Sequence, residues 1–325
     1  MAASAFLAAC GGGSGGGSAT VGTPAPAAPV TLTSANYVAV AQEALASSAY
    51  LGSAASLATG AQVSDSATAV RFGQAQAGKM AHWLAAAPAQ AVGVVQTRTE
   101  ACDGGGTISA RASDLNGNGR VDTGDSVTLT ASNCAFEGEL LSGQLSMTID
   151  SVTGNPDYFP YKLSVTLGFN QLTTQSATQR TVGNGNLTLS IDARAANDQS
   201  LSLRTASLGL SSTYASTRYD KTLTNYASTI TLSPAGSGLN SSASVNGTLS
   251  SSAFDAKSVA IETPSPFFTG SGQRYPGSGR LLITGAAGGK VRVTATSASA
   301  LLIELDADGN GTYEAATSKG WSEML

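Results

Sequence analysis

The sequence predicts a mainly β fold. We expect a large antiparallel β-meander of roughly ten to fourteen strands, shaped as a curled sheet, sandwich or partial barrel, with an N-terminal Ala-rich helix. Three observations carry this. From about Val92, apolar residues alternate with Ser or Thr in nine successive segments: VVQTRT, TISARA, SVTLTAS, QLSMTID, KLSVTLGF, NLTLSIDA, SLSLRTASL, STITLS and SASVNGTLS. Period two with β-branched residues marks strands with one buried and one wet face. Turn signals such as Gly183-Asn184-Gly185, Pro234-Ala235-Gly236 and Asn246-Gly247 fall between them, and short turns join antiparallel neighbours. The composition is polar without being charged: charged residues are 12% of 325, against 38 Gly and 78 Ser plus Thr, where roughly 25% charged is usual.

The formal net charge is −4. A nucleic-acid partner would need clustered Lys and Arg, and we expect none. No stretch approaches about 18 consecutive apolar residues, so no spanning helix is expected.

The chain opens MAASAFLAAC and continues GGGSGGGSAT. Leu7-Ala8-Ala9-Cys10 resembles the lipobox of bacterial lipoproteins. The resemblance implies cleavage before Cys10, a lipid on that cysteine and a membrane partner reached through the lipid anchor. Gly11 after the cysteine implies the outer membrane, with the protein facing the periplasm or the surface. Only nine residues precede Cys10 and none is basic, which points to a true start codon further upstream. Residues 1–9 are then a signal-peptide remnant and 10–31 a Gly/Ser/Pro tether. With Cys10 lipidated, Cys102 and Cys134 form an even remainder, and in an exported protein that predicts a disulfide.

Residues 32–90 read as a helical segment packing on the sheet. Between Ser34 and Leu57, Tyr37, Val40, Ala41, Ala44 and Leu45 share a helical face, with Thr33 or Ser34 as cap and Gly60 as stop. A second, weaker helix spans Ala67–Ala87, with Gly73 and Gly78 against it and Pro88 ending it. Residues 91–325 form the β domain. Its C-terminal strands are Leu281–Gly285, Val291–Thr296, Leu301–Leu305 and a fourth near Thr312–Ala315, before Trp321 as a core anchor. The stretch beginning at Gly143 recurs at Gly185, and its start recurs at Gly247. This is either a duplicated strand pair or, the reading preferred here, a set of amphipathic strands that each open on Gly.

Two acidic loops interrupt the pattern. Asp114, Asn116, Asn118, Gly119, Arg120, Asp122 and Asp125 fall at positions 1, 3, 5, 6, 7, 9 and 12 of a loop that resembles the EF-hand or dockerin calcium loop. Position 7 would use the Arg120 carbonyl. Asp at position 12 must reach further than Glu, and strand-like flanks replace the helices, so any ion would sit at a hairpin tip. Asp306, Asp308, Asn310, Gly311, Thr312 and Glu314 repeat positions 1, 3, 5, 6, 7 and 9, but Thr317 stands at 12, which makes this the weaker calcium candidate. The two loops hold six of the 21 acids, although Asp, Asn and Gly are also ordinary turn residues.

Catalytic signals are sparse. His82 is the only histidine, so a His-dependent triad has a single candidate base, and His82 reads as a partly exposed helix residue. Asp150, Asp192, Asp220, Asp255 and Glu262 are scattered without pairing, and the GGG runs lack a phosphate-loop Lys. Tyr158-Phe159-Pro160-Tyr161 and Phe267-Phe268 with Tyr275 are two aromatic clusters suited to plugging a sheet end or to binding a ligand. The whole resembles β-rich lipoproteins of Gram-negative bacteria, on Leu7–Cys10, Cys102 and Cys134 with Gly104–Gly106, and the two acidic turns. That resemblance carries no activity. We expect a non-catalytic, lipid-anchored envelope protein, structural or adhesive, stiffened by calcium and a disulfide, and the sequence names no protein or glycan partner. The alternatives are a periplasmic carrier of a lipid or other apolar ligand, which needs a large apolar pocket on the curved sheet, and a carbohydrate-active enzyme, which needs paired carboxylates.

Overall fold

A computed structural model describes residues 27–56, 72–73, 75–76, 79–85, 95–156 and 158–325. Cys10, the signal remnant and most of the tether lie outside the described residues. Helix α1 is Tyr37–Ser56 and α2 is Met80–Ala85. Fourteen strands follow: β1 (Val95–Ala101), β2 (Thr107–Ser113), β3 (Ser126–Phe136), β4 (Glu139–Thr153), β5 (Tyr161–Gln175), β6 (Gln179–Ala195), β7 (Asp198–Tyr214), β8 (Thr217–Ala235), β9 (Gly238–Ser251), β10 (Lys257–Thr269), β11 (Ser278–Thr284), β12 (Lys290–Ser297), β13 (Ala300–Asp306) and β14 (Ala315–Gly320). A short α3 (Trp321–Met324) ends the chain.

The strands form one antiparallel sheet in sequence order, with β1 and β14 at its two edges, so it is not closed into a barrel. The sheet curls. Trp321 follows β14 directly, yet its ring lies 5.8 Å from that of Phe267 on β10. Four strand spacings in a flat sheet would be about 19 Å. Most inward residues of β2 to β13 share one core with Val30, Leu32 and the α1 stripe Tyr37, Val40, Ala41, Ala44 and Leu45, the face that helical spacing marks, while Ile230 and Leu232 of β8 form a smaller cluster of their own. The start of α1 is organised by Asn36, whose Oδ1 accepts the Thr33 N–H, rather than by the expected Thr33 or Ser34 side chain. Phe72 and Gly73 are helical and buried, Phe72 edge-on to Phe136 of β3 and Gly73 against β4 and β5. A Cβ on Gly73 would stand 3.1 Å from the Leu167 side chain, so close packing explains a glycine that reads as a helix breaker.

The outward face explains the Ser and Thr content. Ser164 pairs with Ser190, Thr166 with Thr188 and Ser202 with Thr229 across neighbouring strands, while Thr166 donates to Asp150. Lys162 and Asp192 add an ion pair. Such cross-strand pairs stabilise a wet face without a dense charge pattern.

Several expectations are corrected. Gly183–Gly185 and Asn246-Gly247 are not turns, and Gly143, Gly185 and Gly247 do not open strands. They lie inside β4, β6 and β9 with φ of +111°, +122° and +145°. Opposite them the neighbouring strands bulge, at Asn133 (φ 47°), Gln171 (φ 50°) and Asn225 (φ 45°), and the ladder register shifts. A bulge adds one residue and flips the alternation. Buried positions accordingly run Leu129, Ala131, then Cys134 on β3, and Val165, Leu167, Phe169, then Leu172 on β5. The repeated Gly motif therefore marks a line of kinks that bends the sheet. β10, absent from the sequence reading, carries Pro264 and Pro266 where its register to β11 shifts, a position a strand proline tolerates. The last strand begins at Ala315 rather than Thr312, because 307–314 are taken by the second acidic loop. Residues 28–30, read from the sequence as tether, pair with the sheet. Val30 N–H donates to Ser258 O and Ser258 N–H to Ala28 O, which binds this segment to β10.

Cys102 and Cys134 are joined, with Cα atoms 5.5 Å apart. The bond ties the β1–β2 turn to β3, where Ala135 N–H also donates to Gly105 O. Reduction, or Cys102→Ser with Cys134→Ser, should lower the urea-unfolding free energy by about 3–4 kcal/mol. Gly185→Ala should cost about 2 kcal/mol or more, because its Cβ would meet Ser207 O at 2.3 Å in a strained backbone region. Gly236→Asn, at an open turn with φ +59°, should change stability by less than about 1 kcal/mol. Equal losses at the two glycines would contradict the kink assignment.

Candidate functional site

The acidic loops sit at hairpin tips, 114–125 between β2 and β3 and 307–314 between β13 and β14. Hairpin connections alternate between the two ends of a meander, so the loops lie at opposite ends of the sheet. Both begin with the same turn chemistry. Gly119 N–H donates to Asp114 Oδ2 (2.6 Å) and Gly311 N–H to Asp306 Oδ2 (3.0 Å). Asn118 and Arg120 N–H groups donate to the Asn116 and Asn118 side-chain oxygens. Asn310 and Thr312 N–H groups do the same with Asp308 and Asn310. The Asp/Asn spacing with Gly at position 6 builds this ladder, since each side-chain oxygen captures an amide two residues on.

Past that point the loops differ. In the first, Asp114 Oδ1 also accepts Asn116 and Gly117 N–H. Buried Asp125 accepts Leu115 N–H on Oδ1 (2.9 Å) and Asp122 N–H on Oδ2 (2.7 Å). Asp122 Oδ2 accepts the side-chain amides of Asn116 (2.8 Å) and Asn118 (2.6 Å). These amides hold the Asp122 carboxyl below its ordinary range, whereas burial pushes Asp125 up. The first-loop carboxylates are thus engaged by the loop's own donors.

The second loop brings its acids together. Carboxylate oxygens of Asp306, Asp308 and Glu314 lie within 4.8 Å of one another, and among the described residues no other group of three acids, cysteines or histidines does so. Asp306 is fully buried, and its Oδ1 has no hydrogen-bond partner. Glu314 is swung in by two bonds, Ala307 N–H to its Oε2 (3.0 Å) and its own N–H to Leu305 O (2.9 Å). The loop is braced from outside, since a Cβ on Gly309 would stand 2.6 Å from Gly288 O. The cluster can hold a metal ion. Hence the loop with the poorer sequence match has the converged acids, and the one with the better match is closed by its own amides.

The interior also holds a cavity of about 760 Å³ between α1, the inner faces of β6 to β10, and Trp321. Sequence reasoning reached its aromatic wall through Phe267 and Tyr275 but missed Glu43, Ser47, Lys221 and Arg274, which carry no local motif. Glu43 is the only acidic side chain among the described lining residues, whereas glycoside hydrolysis uses two carboxyls about 5–10 Å apart. The other aromatic cluster leaves Tyr158 and Phe159 exposed, with Phe159 stacked on Tyr161. His82 is exposed on α2, with Nε2 3.0 Å from Glu100 Oε1.

Fold and sites together define an open, curled antiparallel β-meander with helical segments in its interior and Asp/Asn/Gly hairpin loops at both ends. No protein-family model, curated protein or solved structure matches the chain. No helix among the described residues is long and apolar enough to cross a membrane.

The hydrogen bonds make the two loops unequal in their need for their acids. In chelator, Asp114→Ala should lower stability by about 2–3 kcal/mol, because three amides lose a charged acceptor. Asp308→Ala should cost less than about 1 kcal/mol, because this exposed side chain accepts only from Asn310. Urea titrations of the two variants check the ranking.

Proposed function

We propose that the chain is a non-catalytic, lipid-anchored cell-envelope protein, structural or adhesive, stiffened by calcium at the β13–β14 loop. The observation that supports it best is the buried, partnerless Asp306 Oδ1 beside the Asp308 and Glu314 carboxylates. A buried acceptor without a donor is costly, and three carboxylates converging without a cation repel one another. A hard divalent cation removes both penalties. Calcium takes six to eight oxygens at about 2.3–2.6 Å in flexible geometry, which suits exposed Asp308 and Glu314 moving in on a fixed Asp306, with the Asn310 side chain and Thr312 carbonyl at their loop positions. Asp306 ends β13 and Glu314 precedes β14, so an ion would cross-link the last hairpin at the sheet edge. The anchor at Cys10 rests on the Leu7–Cys10 motif. An envelope address accords with the Cys102–Cys134 bond, since disulfides persist in oxidising compartments.

The test is a thermal melt of the purified chain in excess calcium and in chelator, with Asp306→Asn and Asp125→Asn beside the native sequence. Calcium at 100 times its dissociation constant should add about 2.7 kcal/mol, a shift lost in Asp306→Asn and kept in Asp125→Asn. Identical melts of the native chain in calcium and chelator would overturn the reading. A shift lost only in Asp125→Asn would move the ion to the first loop.

A further inference from the structure

The helical segments do not fill the curled sheet completely. The cavity of about 760 Å³ falls within the roughly 300–1,000 Å³ of small-molecule sites. Its body is apolar: Leu45 comes from α1, and Leu223 and Ile230 from β8. One wall is aromatic, with Tyr275 stacked on Trp321 at 5.9 Å and Phe267 edge-on to Trp321. Trp321 is fixed by its Nε1–H, which donates to Pro276 O and Ser297 O.

Ser47 Oγ is buried and has no hydrogen-bond partner. One cation of the lining has no carboxylate partner among the described residues. Arg274, on the exposed β10–β11 loop, holds its guanidinium 5.2 Å from the Tyr275 ring centre, and among the described residues no carboxylate pairs with it. The other cation, Lys221, is neutralised by Glu43 at 3.0 Å, and Glu43 also accepts the Ser251 hydroxyl. The side-chain charge left for an occupant is therefore that of Arg274.

We propose that this cavity binds a single-chain fatty carboxylate, its chain along the leucine and aromatic walls and its head on the Arg274 guanidinium. Arg meets a carboxylate with two parallel N–H donors. At roughly 25–30 Å³ per heavy atom, about that of a liquid water, one chain of about 16 carbons fits and a two-chain phospholipid does not. The proposal is independent of the cation reading, because Asp306, Asp308 and Glu314 do not line this space.

The test is calorimetric titration of the full chain with palmitate and with hexadecanol, in calcium and again in chelator. Palmitate should bind one to one in both buffers. Arg274→Gln should weaken palmitate about tenfold and leave hexadecanol unchanged, while Arg218→Gln, outside the cavity, should change neither. Ala243→Phe and Leu223→Trp narrow the space by separate routes, and whichever of them keeps the native melt should lose both ligands. Absence of palmitate binding in both buffers would overturn the proposal, as would binding that survives a folded cavity-filling variant. Equal effects of Arg274→Gln on acid and alcohol would overturn the assignment of the head group. Palmitate binding without a calcium-dependent melt would sink the cation reading alone.

Discussion

The interior width of a 14-stranded curled sheet is the constraint on which the rest of this structure depends. Barrels of about eight strands can be filled by their own side chains, but wider ones leave a lumen. Here the inward residues are mostly Leu, Val, Ile and Ala, which do not reach across such a space. The segment before β1 supplies the filling. The α1 stripe and Phe72 join the sheet's core, and Tyr226 reaches from β8 to donate to Ser48 Oγ on α1. The N-terminal segment also locks to β10 through Val30 and Ser258. A helix whose apolar face is largely Ala buries little area per residue, so a filling of this kind leaves room beside it.

Curvature has an equally local origin. Each kink pairs a bulged residue on one strand with a positive-φ glycine on a neighbour, and these pairs run across the middle of the sheet. Gly185 abuts Ser207 O, Gly247 abuts Tyr226 Cα and Gly279 abuts Phe267 Cα, all at distances a Cβ would violate. The inserted residue resets which side chains point inward, so both halves of a long strand keep their apolar residues on the concave face. This is why nine alternating segments are legible in the sequence while their true lengths are not. Gly-Asn-Gly and Asn-Gly demand φ > 0 equally at a hairpin and at a bulge. A local reading cannot tell the two apart, and it splits strands of up to 19 residues.

The acidic loops show a second limit of the same kind. Spacing determines the ladder of amides captured by Asp114, Asn116 and Asn118, and its twin at Asp306, Asp308 and Asn310, so both ladders are legible. The direction of the last acid is not. In the first loop, Asp122 is turned onto the Asn116 and Asn118 amides. In the second, Glu314 is held beside Asp306 and Asp308 by the Ala307 N–H on its Oε2 and by its own N–H on Leu305 O. Likewise the cavity is assembled from α1, β6 to β10 and the 270–277 loop, whose residues carry no common signal in the chain.

Four buried side-chain atoms among the described residues lack partners: Ser47 Oγ, Glu139 Oε2, Thr205 Oγ1 and Asp306 Oδ1. Thr205 stands where the β6–β7 register shifts past Gly185. Glu139 has no physical account in its surroundings. The other two lie in the acidic β13–β14 hairpin and on α1 beside the cavity. Folding tolerates few such atoms, because each forfeits bonds it had in water. Of these atoms only Asp306 Oδ1 stands beside further carboxylates, those of Asp308 and Glu314, in a cluster that could hold a metal ion. The acidic residues that converge there do not line the cavity.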